Sequence, residues 1–544
     1  MAVRDEPLTR PRGAVHEWRG LAGLAFIGLL IGGALLGLVA EGARDPSGAR
    51  DAFDPYLARV VRFTLLQAIL STLASVLPAI VVARALSRHG AFRGRGLLLR
   101  LFSVPLALPQ IVAALGVLAL FGRAGLLADL ASASGLGHWP SIYGLSGILI
   151  AHAFFNVPLA ARLLLQALDT IPADHWRLAS QLGMAPWSTF GLIEWPAMRA
   201  ALPGIAGLVF MLCVTSFTIV LTLGGGPAAT TLEVAIYQAL RFDFDPARAL
   251  VLTALQLGLT IAIVWLLARL GADLAGETSI AVSRRRYAAI GGVETLFNAA
   301  VLMLALAFVG GPIAAIVAGG LEADLGRLIG EHAVRAALAT SLVLAFVAAI
   351  LCCLLTFGLV SGRKRLEARR RSSPAGLAER LMDSGTALVL VVPPIIIGAG
   401  WFLLLRLFAD AFAFAPVMVV CVNAVMAIPF VVRAIRPAHD SAFDRHDRLC
   451  RQLGITGMAR LRLVDWPVMR RPLATGFAFA MALSIGDLGV IALFGSEQVQ
   501  TLPYLLLARM SSYRTADAAG IALILAVFCF LLIMLAERLG GEKR

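Results

Sequence analysis

The chain has 544 residues, of which 59% are hydrophobic and only 15% charged, and its mean hydropathy is +0.85. Soluble domains average roughly 45–50% apolar and about 25% charged, so the composition excludes a soluble globular enzyme, a disordered chain and a secreted disulfide scaffold. The net charge of +14 is no nucleic-acid signature, because the basic residues, all Arg except Lys364 and Lys543, fall in short runs between apolar stretches.

A helix needs about 20 mainly apolar residues to cross the bilayer. Twelve such runs occur, near 21–40, 60–83, 97–121, 142–165, 201–223, 248–270, 292–319, 334–360, 384–405, 412–435, 473–495 and 516–537. None alternates as barrel strands do, so the fold class is an all-α polytopic membrane protein with twelve transmembrane helices. The first run follows Arg4, Arg10, Arg12 and Arg19, as a signal peptide's would. It is longer than the usual stretch of about 7–15 residues and lacks a clear cleavage site, so it reads as an uncleaved helix. With the N-terminus inside, Arg84–Arg100, Arg284–Arg286, Arg363–Arg371 and Arg433–Arg471 all lie in the cytoplasm, as the positive-inside rule requires. Both termini are therefore expected to be cytoplasmic. Pro105, Pro109, Pro158, Pro393, Pro394 and Pro429 are expected to interrupt spans.

Residues 156–216 repeat as 427–487 at a constant spacing of 271. Pro158 with Arg162 answers Pro429 with Arg433, and Leu182-Gly183 answers Leu453-Gly454. Glu194-Trp195-Pro196 answers Asp465-Trp466-Pro467. Six runs precede a polar linker and six follow it, so the two repeats are parallel, with a pathway expected at their interface. The domains expected are a cytosolic N-terminus 1–20, a first six-helix half 21–270, a cytosolic linker 271–291, a second half 292–537 and a cytosolic tail 538–544.

The repeat is densest in one cytosolic loop of each half, 170–196 and 441–467. Pro172 suits a helix start and Asp174 its first turn. Trp176, Ala179 and Leu182-Gly183 are expected to offer a partner an apolar surface. The pattern Ala179-x-x-x-Gly183, followed by Ile193-x-Trp195-Pro196, resembles the EAA loop of ATP-binding-cassette importer permeases. That loop reads Glu-Ala-Ala, three residues, Gly, nine residues, then Ile-x-Leu-Pro. The second copy supplies Arg448-Leu449-Cys450, Gly454 and Val464-Asp465-Trp466-Pro467. Both copies depart from the pattern, with Arg177 and Arg448 at the Glu position and Trp195 and Trp466 at the Leu position.

The resemblance implies the MetI-like fold and a coupling helix in each loop that docks an ATPase subunit, two copies in all. Docking would fall on Trp176, Arg177, Ala179, Leu182, Gly183 and Pro196, and on Arg448, Cys450, Leu453, Gly454 and Pro467. Phe210–Cys213, Leu223–Pro227, Ala235–Leu240, Asp245–Ala249 and Ser484–Val490 further resemble the fused thiamine and thiamine pyrophosphate permeases. That likeness implies a bacterial inner-membrane protein surrounded by lipid, with thiamine or its phosphates as small-molecule cargo handed over by a periplasmic thiamine-binding protein. Fused ferric-iron permeases share the plan, so iron or another small solute is the alternative cargo.

The residues themselves carry no enzyme motif. Gly224–Gly226 is followed by no Gly-Lys-Ser/Thr, so the chain has no phosphate loop and ATP hydrolysis must come from a separate subunit. The six Cys show no metal spacing, and no metal, cofactor or nucleic acid is expected. Asp487 stands inside an apolar run where its repeat partner is Ser216. It either faces the pathway and offsets a passing organic cation or bonds a neighbouring helix, for instance through Arg406. An ion-coupled transporter would need such acids matched in both halves, and this one is unmatched. Thr64, Ser71, Thr72 and His152 read as helix-contact residues. On the outer loop 230–248, Phe242, Asp243, Phe244 and Asp245 are candidates for docking the binding protein, with Glu233 and Arg241 nearby.

Overall fold

The structure is a computed structural model that describes residues 14–89, 92–135, 139–269, 291–370, 374–388, 392–455, 457–496 and 499–540. The expected linker, most of the N-terminal segment and the end of the tail lie outside the described residues. Among the described residues the chain is helical throughout, with no strand. Among these residues eleven helical stretches, some of them broken within, are long and apolar enough to cross a membrane: Trp18–Arg44, Pro55–Arg88, Gln110–Ala133, Leu145–Asp169, Pro186–Val214, Pro246–Leu267, Gly292–Glu322, His332–Arg369, Ala411–Cys450, Leu461–Phe494 and Thr515–Ala536. The expected ninth run, 384–405, takes in the end of the helix Leu377–Leu388 and the short apolar helix Pro394–Leu405, with residues 389–391 outside the described residues.

The departures from continuous spans fall at matching places in the two halves. The third run divides into Arg95–Leu101, Val104–Ala107 and Gln110–Phe121, with Pro105 in the first turn of one piece and Pro109 capping the next. The ninth restarts at Pro394 after Pro393. The fifth helix, Trp195–Val214, stops before Thr218–Leu223, and the eleventh, Trp466–Gly486, stops before Gly489–Phe494. Proline lacks the donor an interior turn needs, and it begins the new segments of the third and ninth runs. Pro158 and Pro429, by contrast, lie inside unbroken helices. Neighbouring helices can re-satisfy the carbonyl that such a proline frees.

Each half is built on its second, fourth and fifth helices, which pack on one another. The first helix of each half crosses to the other. Trp18–Arg44 packs on His332–Arg369 and Pro394–Leu405, while Gly292–Glu322 packs on Gln110–Phe121 and Pro55–Arg88. Small residues permit the first of these contacts. A side-chain carbon at Gly37 would stand 2.0 Å from the Gly400 carbonyl oxygen, so only glycine fits there. Trp401 Nε1 donates to the Leu30 carbonyl at 2.7 Å, and Arg406 donates to Glu41 at 2.8 Å. Arg406 is thus committed to Glu41 rather than to Asp487. The reciprocal exchange makes the halves one body whose interface contains the broken helices.

Candidate functional site: coupling loops and the broken helices between the halves

In the first loop, Ala173–Gln181 is a helix and Gly183 takes the left-handed φ of 58° that ends it. The Met184 N–H donates to the Ala179 carbonyl at 3.0 Å and the Gly183 N–H to the Ser180 carbonyl at 3.2 Å, the paired bonds of a Schellman cap. In the second copy Gly454 has φ 65° and the Ile455 N–H reaches the Cys450 carbonyl at 2.9 Å. The small-residue-to-Gly spacing is thus the chemistry of a helix stop. Upstream, the copies differ. Pro172 breaks the first copy away from its span, whereas the second copy has Phe443 at that position and runs unbroken as Ala415–Gln452. The expected separate loop beginning at 441 is therefore a continuation of the tenth helix.

Downstream, both copies widen by one residue into π turns, Phe190–Glu194 and Leu461–Asp465. Pro196 and Pro467 explain them. Neither has the N–H that would bond the carbonyl four residues back, and the ring crowds that carbonyl. Instead the Trp195 N–H reaches the Phe190 carbonyl and the Trp466 N–H the Leu461 carbonyl, a five-residue step.

The structure corrects which residues face outward. Trp176, Ala179 and Cys450 are buried within the chain, Trp176 at 2% exposure among the largest core side chains, so they cannot themselves be the docking surface. Trp176 and Ala179 sit three residues apart on the inner face of the helix, and Leu178 and Leu182, four apart, share the other. The exposed residues are repeat partners: Leu178 and Leu449, Leu182 and Leu453, Leu192 and Leu463. Helical periodicity separates the two faces of the first loop's helix, and Leu178, Leu192, Leu449 and Leu463 are exposed although they lie outside the motif positions. Arg177, Arg448, Gly183, Gly454 and Pro467 are also exposed, Pro196 is half-buried, and Arg177 pairs with Asp174 at 3.4 Å.

Behind the first loop, Glu194 is fully buried and bound by Arg84 Nε at 2.9 Å and Arg88 Nε at 2.7 Å. Glu294, on the first helix of the second half, joins Arg84 at 3.5 Å. This cluster ties the loop to the second helix and to the opposite half. The second copy is held differently, by Arg460 to Asp447 at 2.6 Å and Asp465 at 3.7 Å.

Asp487 and Ser216 both lie at the breaks in the eleventh and fifth helices. Asp487 Oδ1 accepts the Gly489 N–H at 3.3 Å, while Oδ2 and the Ser216 Oγ are buried without a hydrogen-bond partner. A side-chain carbon at Gly486 would stand 2.9 Å from Pro109 Cγ, and one at Gly489 would stand 3.7 Å from Pro394 Cβ. The Asp487 break is therefore wedged between the broken third helices of both halves. Nearby polar groups serve packing. Ser71 Oγ and His152 Nδ1 are 2.8 Å apart, and Asn156 and Asn423 bond the repeat-related Cys213 Sγ (3.4 Å) and Ser484 Oγ (3.0 Å). Thr64 Oγ1 accepts the Leu232 N–H at 3.0 Å and Ser341 Oγ the Leu502 N–H at 2.8 Å, securing the short helices Leu232–Arg241 and Leu502–Ser511 in both halves.

The loop after Leu232–Arg241 exposes Phe242, Asp243 and Phe244, the last with a left-handed φ of 52°. Asp245 instead caps the sixth helix, accepting the Arg248 N–H at 2.9 Å. Tyr513, at the matching junction of the second half, is likewise exposed with φ 59°. Glu233 does not belong to this surface. It is buried outside the membrane-spanning helices, and burial pushes its carboxyl up to about 8. Among the described residues no His, Cys, Asp and Glu cluster could hold a metal ion.

The family model described as "Binding-protein-dependent transport system inner membrane component" matches residues 75–276 and again 368–541, once in each half. The chain is 56% identical to the thiamine transport system permease protein ThiP of Brucella abortus over 96% of this chain and 95% of that one. It is 41% identical to ThiP of Escherichia coli K12 over 100% and 99%, and 37% identical to ThiP of Haemophilus influenzae over 97% and 96%. Two units of one inner-membrane transport module, fused and packed around a set of broken helices, account for the repeat, the paired loops and these full-length likenesses: the chain belongs to the binding-protein-dependent transport system inner membrane component family, in the branch of the ThiP permeases.

Proposed function

We propose that this chain is the membrane subunit of an ATP-binding-cassette importer that carries thiamine, or its phosphates, across the bacterial inner membrane. The observation that supports it most is the matched set of exposed leucines on the two coupling loops, in a chain alike over its whole length to thiamine permeases. Two ATPase subunits dock there, one on Leu178, Leu182 and Leu192 and one on Leu449, Leu453 and Leu463. Their closure on ATP draws the loops together, and the exchanged first helices pass the movement between the halves. Each state is selected by the ligand that binds it better. Both termini and the loops are cytoplasmic, by the distribution of Arg. On the opposite side a thiamine-loaded binding protein docks near Phe242, Asp243 and Phe244. The chain performs no covalent chemistry.

Asp487 lies on the pathway, where its free carboxylate oxygen offsets the thiazolium charge. Asp487→Asn is expected to reduce thiamine uptake in a stably assembled complex, and unchanged uptake removes this role. The function as a whole is tested by purifying the chain with its neighbours. An ATPase subunit and a binding protein that holds thiamine are expected to accompany it, and a binding protein loaded with ferric iron would reassign the cargo.

A further inference from the structure

The second helix begins, at the end remote from the coupling loops, with Tyr56, Arg59, Arg62 and Phe63. From Arg59 to Arg84, which grips Glu194, the helix runs about 38 Å, more than the roughly 30 Å hydrocarbon thickness of a bilayer. The two Arg therefore stand at the far membrane interface.

A groove of about 630 Å³ opens there, lined by Tyr56, Arg59, Arg62 and Leu66 on one side and by Pro227 and Thr230 on the other. Arg59 lies 5.8 Å from the Tyr56 ring centre, and among the described residues no carboxylate pairs with Arg59 or Arg62. Their neighbour Arg248, 5.7 Å from the same ring, is balanced by Asp54 at 3.2 Å and Asp245 at 3.7 Å. The groove thus holds two uncompensated guanidinium groups beside one that is neutralised. From Arg62 the exposed face of the helix continues as Leu66, Ile69, Leu73 and Leu77. That spacing is one apolar helical stripe, and it leads from the groove toward the middle of the bilayer.

We propose that this groove binds the headgroup of an anionic phospholipid in the far leaflet. Arg59 and Arg62 donate to its phosphate oxygens, a geometry to which the guanidinium fork is suited, and an acyl chain lies along Leu66 and Ile69. The Tyr56 ring sits at headgroup depth, where aromatic side chains are enriched. A soluble anion would satisfy the two Arg but leave the apolar stripe without a partner, which is why the occupant is a lipid.

Native mass spectrometry of the full-length chain, titrated separately with phosphatidylglycerol, phosphatidylcholine and inorganic pyrophosphate, tests the assignment. A basic side chain near an anionic surface is worth about a fivefold change in binding. The double variant Arg59→Gln/Arg62→Gln is therefore expected to bind phosphatidylglycerol about 25-fold more weakly and phosphatidylcholine as before. Arg335→Gln, an exposed Arg near the start of the eighth helix, is expected to change neither. Phosphatidylglycerol binding that survives in the double variant, or an equal loss of both lipids, overturns the proposal. So does a wild-type chain that takes up pyrophosphate but prefers neither lipid, since the groove is then a water-facing anion site.

Discussion

Truncating Leu178 and Leu182 together to Ala removes two side chains that stand 55% and 67% exposed on the first coupling helix. A docking partner can newly cover only that exposed part, the equivalent of about 1.2 leucines. At roughly 2 kcal/mol for a whole leucine, and allowing for the methyl group that Ala retains, the loss is about 2 kcal/mol. That corresponds to a roughly thirtyfold weaker complex. The assay is the affinity of the purified ATPase subunit for the full chain in lipid nanodiscs, with the melting curve of each variant recorded beside it. Because both positions are exposed, the melting curve is expected to stay put, within about 0.5 kcal/mol. Leu449→Ala/Leu453→Ala should weaken the second site to a similar degree. Trp176→Ala should do the reverse: emptying a core site costs roughly 3–5 kcal/mol of stability and removes no exposed contact. Undiminished ATPase affinity in a folded Leu178→Ala/Leu182→Ala chain refutes the reasoning, as does a Trp176→Ala chain that melts normally yet fails to bind.

Three further outcomes follow from the same structure. Ala at Gly183 or Gly454 must take the left-handed φ of 58° or 65°, at a cost of about 1 kcal/mol each, so faster hydrogen exchange is expected in that loop alone; unchanged exchange would show that the Schellman cap does not hold it. Glu194→Gln leaves Arg84 and Arg88 without their buried counter-charge, which should cost roughly 3–5 kcal/mol, whereas an unshifted melting temperature would mean the cluster is not coupled to folding. Burial raises the Glu233 carboxyl from its ordinary 4.5 to about 8, so the folded chain keeps it neutral where the unfolded chain ionises it. The stability tied to this group is full below about 4.5 and is lost as pH rises toward about 8. Measured against Glu233→Gln, the wild type should therefore lose melting temperature between pH 5 and pH 8, and a constant difference would contradict that sign.

The plan of the molecule was readable because long apolar runs and a fixed repeat are strong, redundant signals. Among the described residues eleven helical stretches of spanning length follow the expected runs in order, with breaks inside the third, fifth and eleventh. Broken helices were only partly readable. Proline marks the breaks at Pro105, Pro109 and Pro393, yet Pro158 and Pro429 sit in unbroken helices, and the breaks at Ser216 and Asp487 have no proline at all. Whether a span bends, breaks or continues depends on what receives its freed carbonyls, which is tertiary information. The coupling motif located the loop but not its outer face, because a motif fixes spacing while burial depends on which side meets the neighbouring helices. Nothing local in the sequence announced the crossing of the first helix of each half to the other. That crossing depends on matching small residues, Gly37 with Gly400, far apart in the chain.

ATP-driven uptake of labelled thiamine into vesicles carrying this chain with the proposed ATPase subunits and binding protein asks most directly whether the paired loops couple an external motor to the pathway. Uptake is expected to require ATP, to be indifferent to collapsed ion gradients, and to fail when the exposed leucines of both loops are replaced in a folded, assembled complex. Uptake that proceeds without the ATPase subunits, follows an ion gradient, or survives loss of both leucine sets would contradict the account.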